Sequence, residues 1–237
     1  MIYIVGIGPG GSADYLSGRA LTVVSLVDQA IYRGEMIGPE IRNLFAPGKL
    51  KVGRFAMDEV MADLEQAVTA NRNLAILVPG DPSLYSGQDG QEKTVGQYLT
   101  WLRARGAAHE VVPGISSWMA LCAKAGLDMT EFGSSQSVVV VSLERMATVG
   151  VSPNIDWEAI GEACRHKPTL VLFQSYAHRK ELPAQLLRHY APMSEVIIGF
   201  KVSWPEEKIV RMSLEAYAQD QLGAELAKHS IIIILPV

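Results

Sequence analysis

The amino-acid sequence predicts an α/β protein of two domains: a largely parallel sheet in the first, a mixed sheet in the second, and a cleft between them. Three observations carry this expectation. Short apolar runs alternate with amphipathic stretches through the first half, the pattern of strands joined by crossover helices. The second half holds strand candidates that helices only partly separate. The pattern changes at Pro113-Gly114, so the domains are expected to span 1–114 and 115–237. With 237 residues the chain is long enough for two modest cores.

Taken in order, Ile2–Ile7 reads as a strand, Ala13–Val27 as a helix, Gln29–Tyr32 as a strand and Pro39–Leu44 as a brief helix. Leu50–Val52 is the next strand. Met57–Asn71 is the clearest helix, with Met57, Val60, Met61, Leu64 and Val68 at three- and four-residue spacing. Leu74–Val78 is a buried-type strand that stops at Pro79-Gly80-Asp81-Pro82. A helix over Gln91–Arg105 leads to a strand at His109–Val112, and Ile115–Ala125 is a helix started by Ser116 or Ser117. Beyond it, Ser137–Ser142, Thr169–Gln174, Glu195–Phe200, Lys208–Met212 and Ser230–Leu235 are strands, with helices over Ile155–His166, Ala177–Tyr190 and Leu214–Lys228. The turn residues Trp204-Pro205-Glu206-Glu207 predict an antiparallel hairpin between the two strands that flank them.

Composition narrows the function classes. A net charge of −4 argues against nucleic-acid binding, which needs a basic stripe. No apolar run approaches the roughly 18 residues of a membrane span, and Ile2-Tyr3-Ile4-Val5 opens the chain as a strand, not as a signal peptide. Two cysteines, Cys122 and Cys164, make no disulfide framework, so a cytoplasmic location is expected. His109, His166, His178, His189 and His229 are scattered, and no metal site is expected.

Three glycine/proline segments follow predicted strands: Gly6-Ile7-Gly8-Pro9-Gly10-Gly11, Pro79-Gly80-Asp81-Pro82-Ser83-Leu84-Tyr85 and Pro113-Gly114-Ile115-Ser116-Ser117. Parallel strands bring such ends to one edge, where ligand crevices form. The first satisfies the GxGxxG dinucleotide pattern, yet Pro9 lacks a backbone donor and no acidic residue immediately follows the second strand. Asp81 is either a turn-former bonding nearby amides or a ligand contact.

Jointly, Val5–Gly10, Gly80–Tyr85 and Val112–Ser117 resemble the tetrapyrrole methylase family, S-adenosylmethionine-dependent enzymes of cobalamin and sirohaem synthesis. Lys201–Arg211 is similar to a segment of the branch that methylates C11 of precorrin-4 or cobalt-precorrin-4. The resemblance implies a homodimer with a small-molecule tetrapyrrole substrate. It also implies donor contacts from Pro9, Gly80, Asp81, Leu84, Tyr85, Ser116, Ser117, Phe173, Val202 and Ser203, with S-adenosylhomocysteine as product. Substrate-side residues are expected at Arg33, Met36, Asp89 and Gln91; Arg54, Lys93, Arg179 and Lys180 are further candidate cations, each of which reads more readily as ordinary solvated surface, and Tyr32 and Met36 read equally as an apolar floor or as core. Methyl transfer from a sulfonium needs orientation and desolvation more than a nucleophile, and no catalytic base is assigned.

The chain departs from that branch at Tyr32–Ile37, Ser86–Gln91 and Ser142–Met146, all expected on the acceptor side. The same fold acting on another tetrapyrrole position or another acceptor, and a donor-binding protein without catalysis, therefore stand as alternatives.

Overall fold

The computed structural model describes residues 1–84, 95–130, 135–143, 156–219 and 229–237. The chain divides into two compact units, Met1–Ala120 with Ser203–Pro205, and Leu121–Val202 with Glu206–Val237.

The first unit is built on a parallel sheet of β1 (Ile2–Gly6), β2 (Gln29–Arg33), β3 (Leu50–Gly53), β4 (Leu74–Val78) and β5 (His109–Val112), in the order β3-β2-β4-β1-β5. Every residue of β1 and β4 is buried, as expected where helices cover both faces of a parallel sheet. Alternate residues feed two cores. Tyr3, Val5, Ala30, Tyr32, Ala75 and Leu77 enter one, and Ile2, Ile4, Ile31, Leu74 and Ile76 the other. The helices are α1 (Gly18–Leu26), α2 (Pro39–Arg42), α3 (Met57–Thr69) and α4 (Val95–Ala104), and α5 (Ser117–Ala125) begins in this unit and ends in the second. In α3, Met57, Val60, Leu64 and Ala67 form the buried stripe, and Met61 and Val68 flank it, partly buried.

The single helix expected over Ala13–Val27 is two pieces. A 3-10 turn at Ala13–Tyr15 ends at the extended Leu16, and Ser17 then caps α1 by accepting from Ala20 N at 3.1 Å. A serine that satisfies an orphan helix donor starts a helix instead of continuing one. The start expected at Gln91 lies outside the described residues, and α5 begins at Ser117, two residues after the expected Ile115.

In the second unit β6 (Val138–Ser142), β7 (Thr169–Phe173), β8 (Glu195–Phe200), β9 (Lys208–Ser213) and β10 (Ser230–Leu235) form a mixed sheet in the order β6-β7-β10-β8-β9. Only β6 and β7 pair in parallel; β8 and β9 form the expected antiparallel hairpin, with Phe200 opposite Lys208. α6 (Trp157–Ala163) is capped by Asp156, whose carboxylate accepts from Ala159 N at 2.9 Å, and it stops at Cys164, short of the expected His166. The helix expected over Ala177–Tyr190 is instead a 3-10 turn at Tyr176–His178 followed by α7 (Leu182–Leu186). Pro183 has no N–H to give an earlier turn, so it fits only near a helix start. α8 is described over Leu214–Gln219; residues 220–228 lie outside the described residues.

Candidate functional site

The pairing register puts the C-terminal ends of three neighbouring strands of the first unit at one level. Gly6 lies opposite Val78, and Val5 lies opposite both Leu77 and Val112. The three glycine/proline loops therefore leave the same edge of the sheet side by side, and they touch backbone to backbone. Gly80 N donates to Gly8 O at 2.6 Å, and Ile7 N donates to Val78 O at 2.9 Å. A Cβ on Gly6 would lie 2.5 Å from Gly114 N, and one on Gly114 would lie 2.2 Å from Gly80 O. Only glycine permits that approach.

Asp81 locks the second and third loops together. One carboxylate oxygen accepts from Ser83 N at 2.7 Å and the other from Gly114 N at 3.0 Å. Both expected roles of Asp81 thus begin from a strut: the carboxylate is already committed to two amides, and its remaining lone pairs are what a ligand could use. Leu84, half-buried, donates its N–H to Asp81 O at 3.1 Å.

The first glycine turn is gripped from other directions. Gly11 N donates to Ser203 Oγ at 3.1 Å, Trp204 Nε1 donates to Pro9 O at 3.4 Å, and Gly38 N donates to Gly10 O at 2.7 Å. Ser203 adopts a left-handed φ of 76°, unusual for a residue with a side chain. Pro9 has no N–H and that of Gly11 is taken, so two of the turn's positions have no amide to give a pyrophosphate. This disfavours the dinucleotide reading of its GxGxxG pattern.

Above these contacts the loops leave room. A Cβ on Gly80 would find nothing nearer than Ser116 Cα at 3.9 Å, and Ser116 and Ser117, both half-buried, open α5 there. A largely backbone-walled edge, with the Asp81 carboxylate as its charged group, suits a ligand such as S-adenosylmethionine, which carries an adenosine, an amino acid and a cationic sulfonium and no phosphate.

Arg33, at the end of β2, is half-buried and donates Nε to Phe55 O at 2.7 Å, so part of its fork is held by the protein. Met36 is half-buried. Of the two readings of Tyr32, floor or core, its 2% exposure selects core. Its hydroxyl donates to Met36 O at 2.7 Å, and burial pushes its pKa up to about 12. Arg54 pairs with Glu35 at 3.4 Å, both exposed. Tyr85, Asp89, Gln91 and Lys93, like residues 144–146, lie outside the described residues.

Of the expected residues in the second unit, Phe173 ends β7 half-buried. Val202 is buried beside Gly199, where a Cβ would lie 2.8 Å from its Cγ2, so its side chain belongs to the core and only its backbone is available to a ligand. Arg179 lies over the Tyr176 ring at 4.4 Å and donates to Tyr176 O, while Lys180 is exposed. Burial raises both thiols, that of Cys122 to about 11, which makes poor nucleophiles of them. A cavity of ≈ 690 Å³ in this unit, lined in part by Trp157, Arg165 and Arg188, includes none of the expected residues. Gly38, Arg42 and the Trp204 indole were not singled out by sequence reasoning. The Gly38-Pro39 dipeptide just past a strand was the available signal for the first.

The sequence of residues 1–218 matches the model of the family described as Tetrapyrrole (Corrin/Porphyrin) Methylases. The chain belongs to the tetrapyrrole methylase family. Among its relatives, the precorrin-4 C(11)-methyltransferase of Rhodococcus erythropolis is 27% identical over 236 residues, 98% of this chain and 90% of that protein. The cobalt-precorrin-4 C(11)-methyltransferase of Priestia megaterium is 24% identical, covering 98% and 86%. The same methylase fold is seen in a solved cobalt precorrin-4 methyltransferase, a cobalamin biosynthetic enzyme, with a TM-score of 0.83 at 22% identity over 98% of this chain and 93% of that one. It is seen again in the uroporphyrin-III C-methyl transferase of Thermus thermophilus complexed with S-adenosylhomocysteine, with a TM-score of 0.74 at 24% identity, covering 98% and 96%.

Proposed function

We propose that this methylase transfers the methyl group of S-adenosylmethionine to a ring carbon of a tetrapyrrole in corrin synthesis, C11 of precorrin-4 or cobalt-precorrin-4, and releases S-adenosylhomocysteine. The observation that carries the reading is the convergence of the three glycine/proline loops on one sheet edge, in a chain similar over nearly its whole length to C11-methyltransferases of precorrin-4. When bound, the donor supplies an activated methyl group on a sulfonium. The chain's part is to hold, orient and exclude water. Pro9, Gly80, Asp81, Leu84, Tyr85, Ser116, Ser117 and Ser203 are the proposed donor residues of the first unit, and Phe173 and Val202 those of the second. Arg33, Met36, Asp89 and Gln91 are proposed for the acceptor, whose carboxylates favour the Arg33 guanidinium and the Gln91 amide.

The same reading makes the protein a cytoplasmic homodimer. Among the described residues no helix is long and apolar enough to cross a membrane. The test is calorimetric titration with S-adenosylmethionine, with NADH as the control, followed by incubation with donor and precorrin-4. Expected are donor binding, no NADH signal, S-adenosylhomocysteine release and an acceptor heavier by one methyl group. Methylation of uroporphyrinogen III and not of precorrin-4 would move the assignment to the alternative that the departures at Tyr32–Ile37 favour. Donor binding without product from any acceptor would leave a non-catalytic binding protein.

A further inference from the structure

We infer that Arg42 is a positioning residue for the acceptor: it fixes the segment after β2 whose outer side meets the tetrapyrrole, and it does so without holding the donor. The inference rests on the proposed placement of the acceptor at Arg33 and Met36. Arg42 closes the short α2 and turns its fork back onto the loop, with Nε donating to Ile37 O at 2.9 Å and Nη2 donating to Glu35 O at 3.1 Å. The carbonyl between these two, Met36 O, accepts from the Tyr32 hydroxyl at 2.7 Å. Three consecutive carbonyls are thereby turned onto protein donors. At its ends the segment is tied by Gly34 N to Gly53 O at 2.9 Å and by Gly38 N to Gly10 O at 2.7 Å.

The chemistry of the acceptor gives this arrangement its purpose. A tetrapyrrole edge carries several carboxylates, and exposed carbonyl oxygens would repel them. With three such oxygens withdrawn and the Glu35 carboxylate paired with Arg54 at 3.4 Å, the segment presents less negative charge to the acceptor, with Arg33 adjacent. The planar fork aims Nε and Nη2 at the two carbonyls in a fixed geometry that a flexible lysine ammonium does not reproduce, so lysine is not an equivalent. The link from Gly38 to Gly10 is a backbone bond that survives loss of the Arg42 side chain, so the donor turn should keep its shape.

The test compares the full-length chain with Arg42→Ala, Arg42→Lys and Tyr32→Phe. It reads amide exchange over 33–38, donor affinity by calorimetry, and KM and kcat for precorrin-4. Expected for Arg42→Ala are exchange over 33–38 faster by about tenfold, an acceptor KM raised about tenfold, kcat changed less than KM, and donor affinity within about twofold. Arg42→Lys should resemble alanine, and Tyr32→Phe should give a smaller change of the same kind. Unchanged exchange over 33–38, or equal losses of donor and acceptor binding, would overturn the inference, as would full rescue by lysine. If the wild-type chain failed to methylate precorrin-4, the proposed function would fall instead, and the exchange result would by itself uphold or overturn the hold of Arg42 on the segment.

Discussion

In the first unit the closest glycines face backbone; in the second they face side chains. A Cβ on Gly114 would meet Gly80 O, and one on Gly38 would meet Gly11 O at 2.1 Å. A Cβ on Gly199 would meet Leu121 Cδ1 at 2.6 Å, and one on Gly161 the His189 ring at 2.4 Å. Side chains can rotate away, whereas a carbonyl tied into a sheet edge cannot. Topology explains the contrast. A parallel sheet sends its strand ends to one edge, where loops must share space, while the antiparallel pairs of the second sheet send connections to both edges. At its closest glycines the first unit therefore packs backbone on backbone, at the edge where the candidate site lies, and the second packs backbone on side chains.

The sharpest break of this comparison is Gly114→Ala, which should cost about 3 kcal/mol and abolish donor binding, measured by denaturant unfolding and calorimetry. Gly199→Ala should cost about 1–2 kcal/mol, because Leu121 can move. Equal costs at the two sites would dissolve the distinction. Next in size is Asp81→Ala, which strands two amides and should lower stability by about 2 kcal/mol and donor affinity by about tenfold; Asp81→Asn, keeping one acceptor oxygen, should lose about half as much.

A smaller effect separates bond from strain at Ser203. Alanine and glycine both remove the acceptor for Gly11 N, but glycine also relieves the φ of 76°, so Ser203→Gly should be more stable than Ser203→Ala by about 1 kcal/mol in thermal unfolding. The smallest concerns acid. Ala13 N at 3.0 Å and Ser12 Oγ at 2.9 Å hold the Glu40 carboxyl below the usual carboxylate range, and Arg19 does the same for Glu110. A depressed folded-state pKa gives stability that is present above the unfolded value of about 4.3 and is lost as pH falls through the lower folded value. Both groups lie in the first unit, so amide exchange should loosen there first on acidification, and the stability gap between wild type and Glu40→Gln should narrow as pH falls below the unfolded value of about 4.3.

The strands were legible because their apolar runs are short, β-rich and bounded by Gly, Pro or charge; Ile2–Gly6 and Leu74–Val78 could be little else. Helix extents were less so. Leu16-Ser17 and Leu182-Pro183 interrupt what periodicity alone reads as continuous, since a serine cap or a missing N–H acts through one hydrogen bond and leaves the hydrophobic pattern untouched. Within the candidate site, the loops that carry Pro9, Gly80, Asp81 and Ser116 could be named from their composition. That Asp81 ties Ser83 to Gly114, or that Ser203 and Trp204 grip the glycine turn across some 190 residues of sequence, could not. Tyr32 shows the same limit: an aromatic beside a loop reads equally as floor or core until its 2% exposure decides.

By itself, then, the sequence determined the alternation of strand and helix, the three loops after three strands, and the motifs that resemble a methylase, because these depend on local stereochemistry and on residue order. Only the tertiary structure decided which loops touch, which carboxylate is already spent, and which carbonyls Arg42 and Tyr32 turn inward. Those outcomes depend on strand order and register, and a hydrogen bond between residues far apart in the chain leaves no periodic trace in the sequence.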